Sequence, residues 1–345
     1  LPSDLLFFQH LVVGKHPRDT NDIRNGLETP RYVGLSHSDK GQNLRGVISM
    51  FDRFEDTYKV LTNKLWREAL RKYGRSESVK ETQIHGLIPG DRNFKQAYAT
   101  KIQVDRSKIT QYIQAAFMDS LEYLVERKVL FQIHKWRCRY CGHINTKSID
   151  DLKKENECSI CRTNYFAPVD LSWEFKFNSF VADSMAARNG LTVLWALGYL
   201  HDSLFRGSFY YMPEANLFFE EGGEEKWEEI DILSVGNGQF LVGEVKKTAT
   251  SFLRQDGDIA KFIAKINALK PDVALLIFEN FAENAEEVEQ VKTDLNTAKA
   301  TILRETGLNP SSLSIVVAET IRDFNEYDHD FGVTGPRLNK IIFPD

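Results

Sequence analysis

A tight turn flanked by buried charges is the feature that most limits how this chain can fold. Residues 227–247 hold two runs of strand-forming residues separated by Gly236-Asn237-Gly238, a strong hairpin signal. In the second run, alternation puts Phe240, Val242, Glu244 and Lys246 on one face and Leu241, Gly243 and Val245 on the other. Folding about the turn sets Asp231 opposite residues 242 to 244. Phe240 and Val242 mark that face as buried, so two carboxylates and an ammonium are expected to meet away from water. Carboxylates held this close repel unless a cation lies between them. Such oxygen ligands suit Mg²⁺ or Mn²⁺, and a lysine two residues on can orient a water or balance charge on a phosphate. The alternative is a Glu–Lys pair on a solvated strand face.

These residues resemble the signature of the PD-(D/E)xK nuclease superfamily: an acidic residue on one strand, here Asp231, then Glu244-Val245-Lys246 on the next. The wording Glu229-Ile230-Asp231-Ile232-Leu233 followed by Val242-Gly243-Glu244-Val245-Lys246 is similar to restriction-endonuclease-like and Holliday-junction-resolvase-like members. Ile230 stands where the family name carries proline. The resemblance implies an αβββαβ core and metal-dependent hydrolysis of phosphodiester bonds. It makes Asp231 and Glu244 the ligands of Mg²⁺ or Mn²⁺ and Lys246 the catalytic lysine. It also implies a third metal-site residue, for which Asn178, Asp183 and Glu229 are the candidates, and a polar residue on the following helix, where Gln255 stands. Glu220, Glu221, Glu224, Glu225, Glu228 and Glu229 precede Asp231 and read mostly as a solvated acidic face.

The four cysteines form two Cys-x-x-Cys pairs, Cys138/Cys141 and Cys158/Cys161, separated by sixteen residues. Four thiolates at this spacing satisfy tetrahedral Zn²⁺ in a closed structural site, and the stretch resembles a zinc ribbon. Gly142 permits the first knuckle turn. A redox-active pair is the weaker alternative. Residues 127–147 carry six Lys or Arg and no acidic residue, interleaved with Trp136 and Tyr140. On a chain of net charge −5 this is a local basic, aromatic patch of the kind that meets a phosphate backbone and stacks on bases. A solvated face of a small domain fits it equally well.

In chain order, three regions are expected: an α+β region over 1–105, a helix plus zinc ribbon over 106–168, and an α/β nuclease domain over 169–345. In the first, residues 5–8 and 11–13 read as short strands, 19–46 as loops, and the stripe Phe54, Tyr58, Leu61, Leu65, Ala69 as a helix ending near Gly74. This region carries no catalytic motif and is open to sensing, recognition, homo-oligomerisation or a protein partner. Ile109 to Leu124 predicts a second helix, leading into a strand at 129–133 in a way that resembles a winged-helix unit. In the last region the predicted elements are a helix over 177–189 stopped by Gly190, a strand at 192–195, strand-like 208–211 and 217–219, and the hairpin. A helix over 255–269, an apolar central strand at 273–278, a long helix over 282–304 and a strand at 313–317 follow. With 345 residues, 42% hydrophobic, the chain has ample material for several cores and no apolar run of membrane-spanning length. The few cysteines favour a reducing cytoplasm. The expected function is a DNA-cutting nuclease, RNA not excluded, in restriction, antiphage defence or repair. The alternative is a non-catalytic nucleic-acid-binding or scaffolding protein that retains the fold.

Overall fold

The computed structural model describes residues 4–14, 32–167, 172–187, 189–203, 208–221, 224–255, 257–328, 330–335 and 337. The chain opens with α1 (Asp4–Gly14), β1 (Tyr32–His37) and α2 (Asp39–Ile48). Five helices follow: α3 (Phe54–Leu61), α4 (Lys64–Tyr73), α5 (Glu81–His85), α6 (Arg92–Ile102) and α7 (Ile109–Glu126). Next come β2 (Leu130–Arg137), β3 (Ile144–Ser148), β4 (Glu155–Glu157), β5 (Asn164–Phe166), β6 (Trp173–Phe177) and the short α8 (Ser179–Ala182), which runs into a π-helical turn. The remainder is α9 (Gly190–Ser203), β7 (Phe209–Glu221), β8 (Glu224–Gly236), β9 (Gln239–Thr248), α10 (Ala249–Arg254), α11 (Asp258–Leu269), β10 (Val273–Asn280), α12 (Val288–Thr306), β11 (Leu313–Val317) and α13 (Arg322–Asn325). Among the described residues no helix is long and apolar enough to cross a membrane.

These elements form two compact units, residues 1–46 with 188–325, and residues 47–187 with 326–345. The division therefore differs from the boundaries expected at 105 and 168. Residues 5–8 and 11–13, predicted as strands, lie in helix α1. Residues 32–37, predicted as loop, are β1, whose partner β7 lies far along the chain. The helix predicted over 177–189 is the end of β6 followed by a short helical segment, with Asn178 as the N-cap of α8. Gly190 starts a helix instead of stopping one, and the predicted strand at 192–195 is the first part of α9. A continuous apolar run of four residues cannot be assigned by period, and its true length is only apparent from Ser203 backwards.

The first unit is built on a mixed six-stranded sheet in the order β1-β7-β8-β9-β10-β11, with no closed barrel. The first four strands run antiparallel to their neighbours, while β9, β10 and β11 are mutually parallel. Asn237 and Gly238 turn the β8–β9 hairpin with φ of 48° and 78°, the double positive φ of a two-residue I′ turn. The parallel β9–β10 pair requires a long crossover, which α10 and α11 supply. Phe240 and Val242 pack in one apolar cluster with Phe8, Leu233 and Leu269, whereas Ala274, Leu276 and Phe278 pack in a second with Phe252, Phe262 and Ile266. Register sets Glu244 beside Leu276 and Lys246 beside Phe278. Glu244 and Lys246 thus point to the same face of the sheet as both clusters.

The second unit combines helices α3 to α8 with a three-stranded sheet, β3-β2-β6, and the two-stranded β4-β5. The single helix expected from Phe54 to Gly74 is two helices. Asn63 breaks it by accepting a hydrogen bond from the Leu65 backbone N–H and capping α4. Trp66 stacks on Phe117 at 6.1 Å between ring centres, joining α4 to α7 in this core.

Candidate metal centres

The β8–β9 ladder is paired from Gly236 and Gln239 down to Ile232 and Gly243, so the next opposing position joins Asp231 and Glu244. The Asp231 carboxylate accepts a 2.7 Å hydrogen bond from the Val245 backbone N–H, which fixes it against the neighbouring strand. Both carboxylates are buried. Glu244 is gripped at each oxygen, with Lys246 Nζ 3.0 Å from Oε1 and Lys265 Nζ 3.1 Å from Oε2. The two lysines differ in access: the Lys246 side chain is 28% exposed and that of Lys265 only 7%. Lys265 also donates to the Glu229 backbone carbonyl at 2.5 Å. Lys246 Nζ lies 3.6 Å from Asp258 Oδ2.

The electrostatics follow from this crowding. Burial, then the charge of Glu244, raise the Asp231 carboxyl from its ordinary 3.8 to about 7, against the pull of the Val245 N–H and the two lysines. Burial also pushes Glu244 up, but the charges of Lys265 and Lys246 outweigh it and hold that carboxyl below its ordinary value. Burial disfavours the Lys246 ammonium, yet Glu244 and Asp231 overcome this and raise it. A carboxylate that burial, and then a charged neighbour, keep from ionising is one whose ionised form a divalent cation would relieve. Asp231 and Glu244 therefore fit an Mg²⁺ or Mn²⁺ ion.

Three of these residues were expected from sequence, and the structure brings Asp231, Glu244 and Lys246 together. Glu229 lies in the same unit, on β8, but its carboxylate pairs with Lys40 at 2.6 Å. Asn178 and Asp183 lie in the other unit, where Asn178 accepts from the Phe180 N–H and Asp183 pairs with Arg75 at 3.7 Å. Gln255 is exposed between α10 and α11, so it contributes to no buried charge cluster. Sequence reasoning missed Asp258 and Lys265. The signal was present: Asp258, Phe262, Lys265 and Leu269 share one stripe of α11 at spacings of four, three and four, so two charges lie in a row that is otherwise core.

Lys40 and Glu214 were missed for a different reason. Pro213 pairs with Ile232 and Ala215 with Ile230, which sets Glu214 opposite Asp231 as the third acidic residue in a row across β7, β8 and β9. Its φ is +43°, a local break in an otherwise regular strand. The Glu214 carbonyl accepts from both the Ser38 N–H (3.1 Å) and the Ser38 hydroxyl (2.7 Å), anchoring the start of α2 and with it Lys40. No local pattern in the sequence announces a contact between residues so far apart.

In the second unit the four cysteine sulfurs lie within 4.8 Å of one another. The Cys138–Cys161 and Cys141–Cys158 sulfurs are 3.4 and 3.6 Å apart, and all four are free thiols. A tetrahedron with Zn–S legs of ~2.3 Å has edges of ~3.8 Å, so the cluster is compatible with a structural zinc site. Two equivalent turns build it. The Cys138 N–H donates to the His143 carbonyl at 2.8 Å and the Cys158 N–H to the Thr163 carbonyl at 3.0 Å. Gly142 and Arg162 take the positive φ of each turn, 73° and 59°. Asn145 joins the two, donating to Cys158 Sγ at 3.5 Å and accepting from the Ser159 N–H at 2.9 Å. The Cys161 backbone N–H foremost holds the Cys158 thiol down to about 6, favouring the thiolate a metal needs.

The expected aromatic patch is divided. Trp136 is only 6% exposed and stacks on Tyr165 at 4.7 Å, so it is packed inside the second unit and is not a platform for bases. Tyr140, at the tip of the first knuckle, is 81% exposed. Arg127 pairs with Asp52, and Lys135 lies 3.7 Å from Glu77 and 3.8 Å from Glu174, so part of the basic charge is neutralised within the unit.

No known family model matches this chain, and no curated protein matches it. Among solved structures it is similar to the crystal structure of protein VC1899 from Vibrio cholerae, with a TM-score of 0.33 and 12% sequence identity. The match covers 84% of this chain and 56% of that one, so the chain spans a little over half the length of that protein.

Proposed function

We propose that the chain is a metal-dependent nuclease that hydrolyses phosphodiester bonds of DNA, with its reaction centre at Asp231, Glu244 and Lys246. The observation that carries this reading is the meeting of two buried carboxylates across β8 and β9, with Lys246 two residues along the same strand face. The order α9, β7, β8, β9, α10–α11, β10 supports it, because an antiparallel meander followed by a parallel crossover strand is the αβββαβ order of the PD-(D/E)xK superfamily. Asp231 and Glu244 would hold Mg²⁺ or Mn²⁺. The bound ion would supply Lewis acidity at the phosphate and lower the pKa of a coordinated water. Lys246, the more accessible of the two lysines, would orient the attacking water or offset the charge developing on the phosphate. Lys265 keeps Glu244 ionised and fixed in direction. The zinc ribbon, through Arg137, Arg139 and Tyr140, holds the nucleic-acid backbone. Restriction, antiphage defence or repair in the cytoplasm are the settings that fit.

The rival reading is a non-catalytic nucleic-acid-binding protein that retains the fold. It draws on one observation, that both oxygens of Glu244 are already engaged by lysines. Incubation with supercoiled plasmid and Mg²⁺ or Mn²⁺, against an EDTA control and in parallel with structured RNA, separates the two. Metal-dependent cleavage is expected; intact DNA and RNA under both metals would decide for the rival.

A further inference from the structure

Asp258 Oδ2 is buried and makes no hydrogen bond within the protein. Leaving a carboxylate oxygen in that state is costly, and such orphans require an explanation. Lys246 Nζ lies 3.6 Å from it, just beyond hydrogen-bond reach, because the same ammonium sits 3.0 Å from Glu244 Oε1. Lys246 is thus shared unequally between two carboxylates, one on its own strand and one on α11. Lys265 is not shared in this way: it is pinned by Glu244 Oε2 and by the Glu229 carbonyl. Asp258 and Lys265 lie on one face of one helix, so a single rigid element presents an acceptor to Lys246 and a donor to Glu244.

A divalent cation at the two carboxylates needs an oxygen that Lys246 now occupies. Lys246 must then withdraw from Glu244 Oε1, and its partial exposure offers solvent as one destination. We propose that Asp258 is a positioning residue that receives Lys246 when Glu244 takes up a divalent cation, keeping the ammonium inside the site. The movement is small, since closing from 3.6 Å to an ordinary hydrogen bond of ~2.9 Å brings the two groups less than an ångström nearer. Glu244 does not lose all counter-charge in the exchange, because Lys265 stays. This inference rests on the metal-site reading above and adds to it a second state of the lysine.

The test is the Mn²⁺ affinity of the full zinc-loaded chain, read from the electron paramagnetic resonance signal of free Mn²⁺. It compares wild type, D258N, K246M and the double variant. Removing the charge of Asp258 alone weakens Mn²⁺ binding in any background. A positioning role adds dependence on the lysine: D258N should weaken binding ~10-fold when Lys246 is present and far less in the K246M background. Equal losses in both backgrounds, or none in either, overturn the proposal, because Asp258 would then act by its charge, as a ligand, or not at all. Absence of Mn²⁺ binding by the wild type, or binding undiminished in D231N, would instead overturn the metal site itself. Should D258N fail to fold by thermal melt, D258S enters the same cycle with the same expected outcomes.

Discussion

Burial, then the charge of Glu244, lift the Asp231 carboxyl from 3.8 to about 7, so the folded chain binds that proton more tightly than the unfolded chain does. The stabilisation this gives is complete below the unfolded value and is lost as pH rises through about 7. Asp231→Asn keeps an acceptor for the Val245 N–H and removes the charge. In the absence of divalent metal it should melt above wild type at pH 8, by a margin that narrows as pH falls toward the unfolded value; matching melts at pH 8 would show that the carboxylate is not strained. Glu244 works in the opposite sense. Its folded value is depressed, so its ion pairs stabilise the fold above its ordinary titration range and are lost in acid. Lys246→Ala leaves Lys265 on Glu244, so the variant should fold. If Lys246 takes part in the chemistry, its removal should lower cleavage by ~10²–10⁴-fold. A folded Lys246→Ala protein that cuts DNA at the wild-type rate would remove the lysine from the mechanism.

Helix α2 sits on the broken part of β7 only because residue 41 has no side chain. A Cβ at Gly41 would lie 2.2 Å from the Glu214 carbonyl oxygen and 2.4 Å from that of Pro213. Backbone cannot yield as a flexible side chain does, so Gly41→Ala should destabilise the first unit by ~1–3 kcal/mol, measured by denaturant titration. It should also displace Lys40 from Glu229; unchanged stability would mean that α2 docks less tightly than these distances imply. This contact also marks the limit of what could be read beforehand. The β8–β9 hairpin, the cysteine knuckles and β11 were legible because turn residues, spacing and alternation are local. Residues 192–195 were not, since β-branched and apolar residues in a short run serve a buried helix equally well. The site was legible where it lies on the hairpin, and half-legible on α11, where Asp258 and Lys265 interrupt an apolar stripe. Asn178 and Asp183 were sought on a predicted first helix, and the helix that precedes β7 begins after both of them.

Over the whole molecule, two metals with different duties are expected, and they should separate experimentally. Titrating the four thiols with a mercurial should release about one zinc per chain and abolish the near-ultraviolet dichroism of the Trp136–Tyr165 stack, while the first unit persists. Metal analysis without zinc, or a stack that survives its removal, would show that the ribbon holds itself together. A dilute chelator that strips only the labile ion should stop cleavage and leave that dichroism intact. The interleaving of the two units carries a further consequence, which concerns time. Leu35 pairs with Leu217, about 180 residues later in the chain. At ~5–20 residues per second, β1 leaves the ribosome roughly 10–40 s before its partner strand exists. Through that interval the apolar residues of α1 and β1 have no sheet to cover, and they are the natural client of a chaperone that binds nascent chains. Tyr98 likewise waits for Asp328, whose carbonyl it reaches at 2.5 Å. Neither unit is contiguous in the chain, so no single cut releases either one whole, and the nascent chain cannot finish either core until residues beyond 300 have been made.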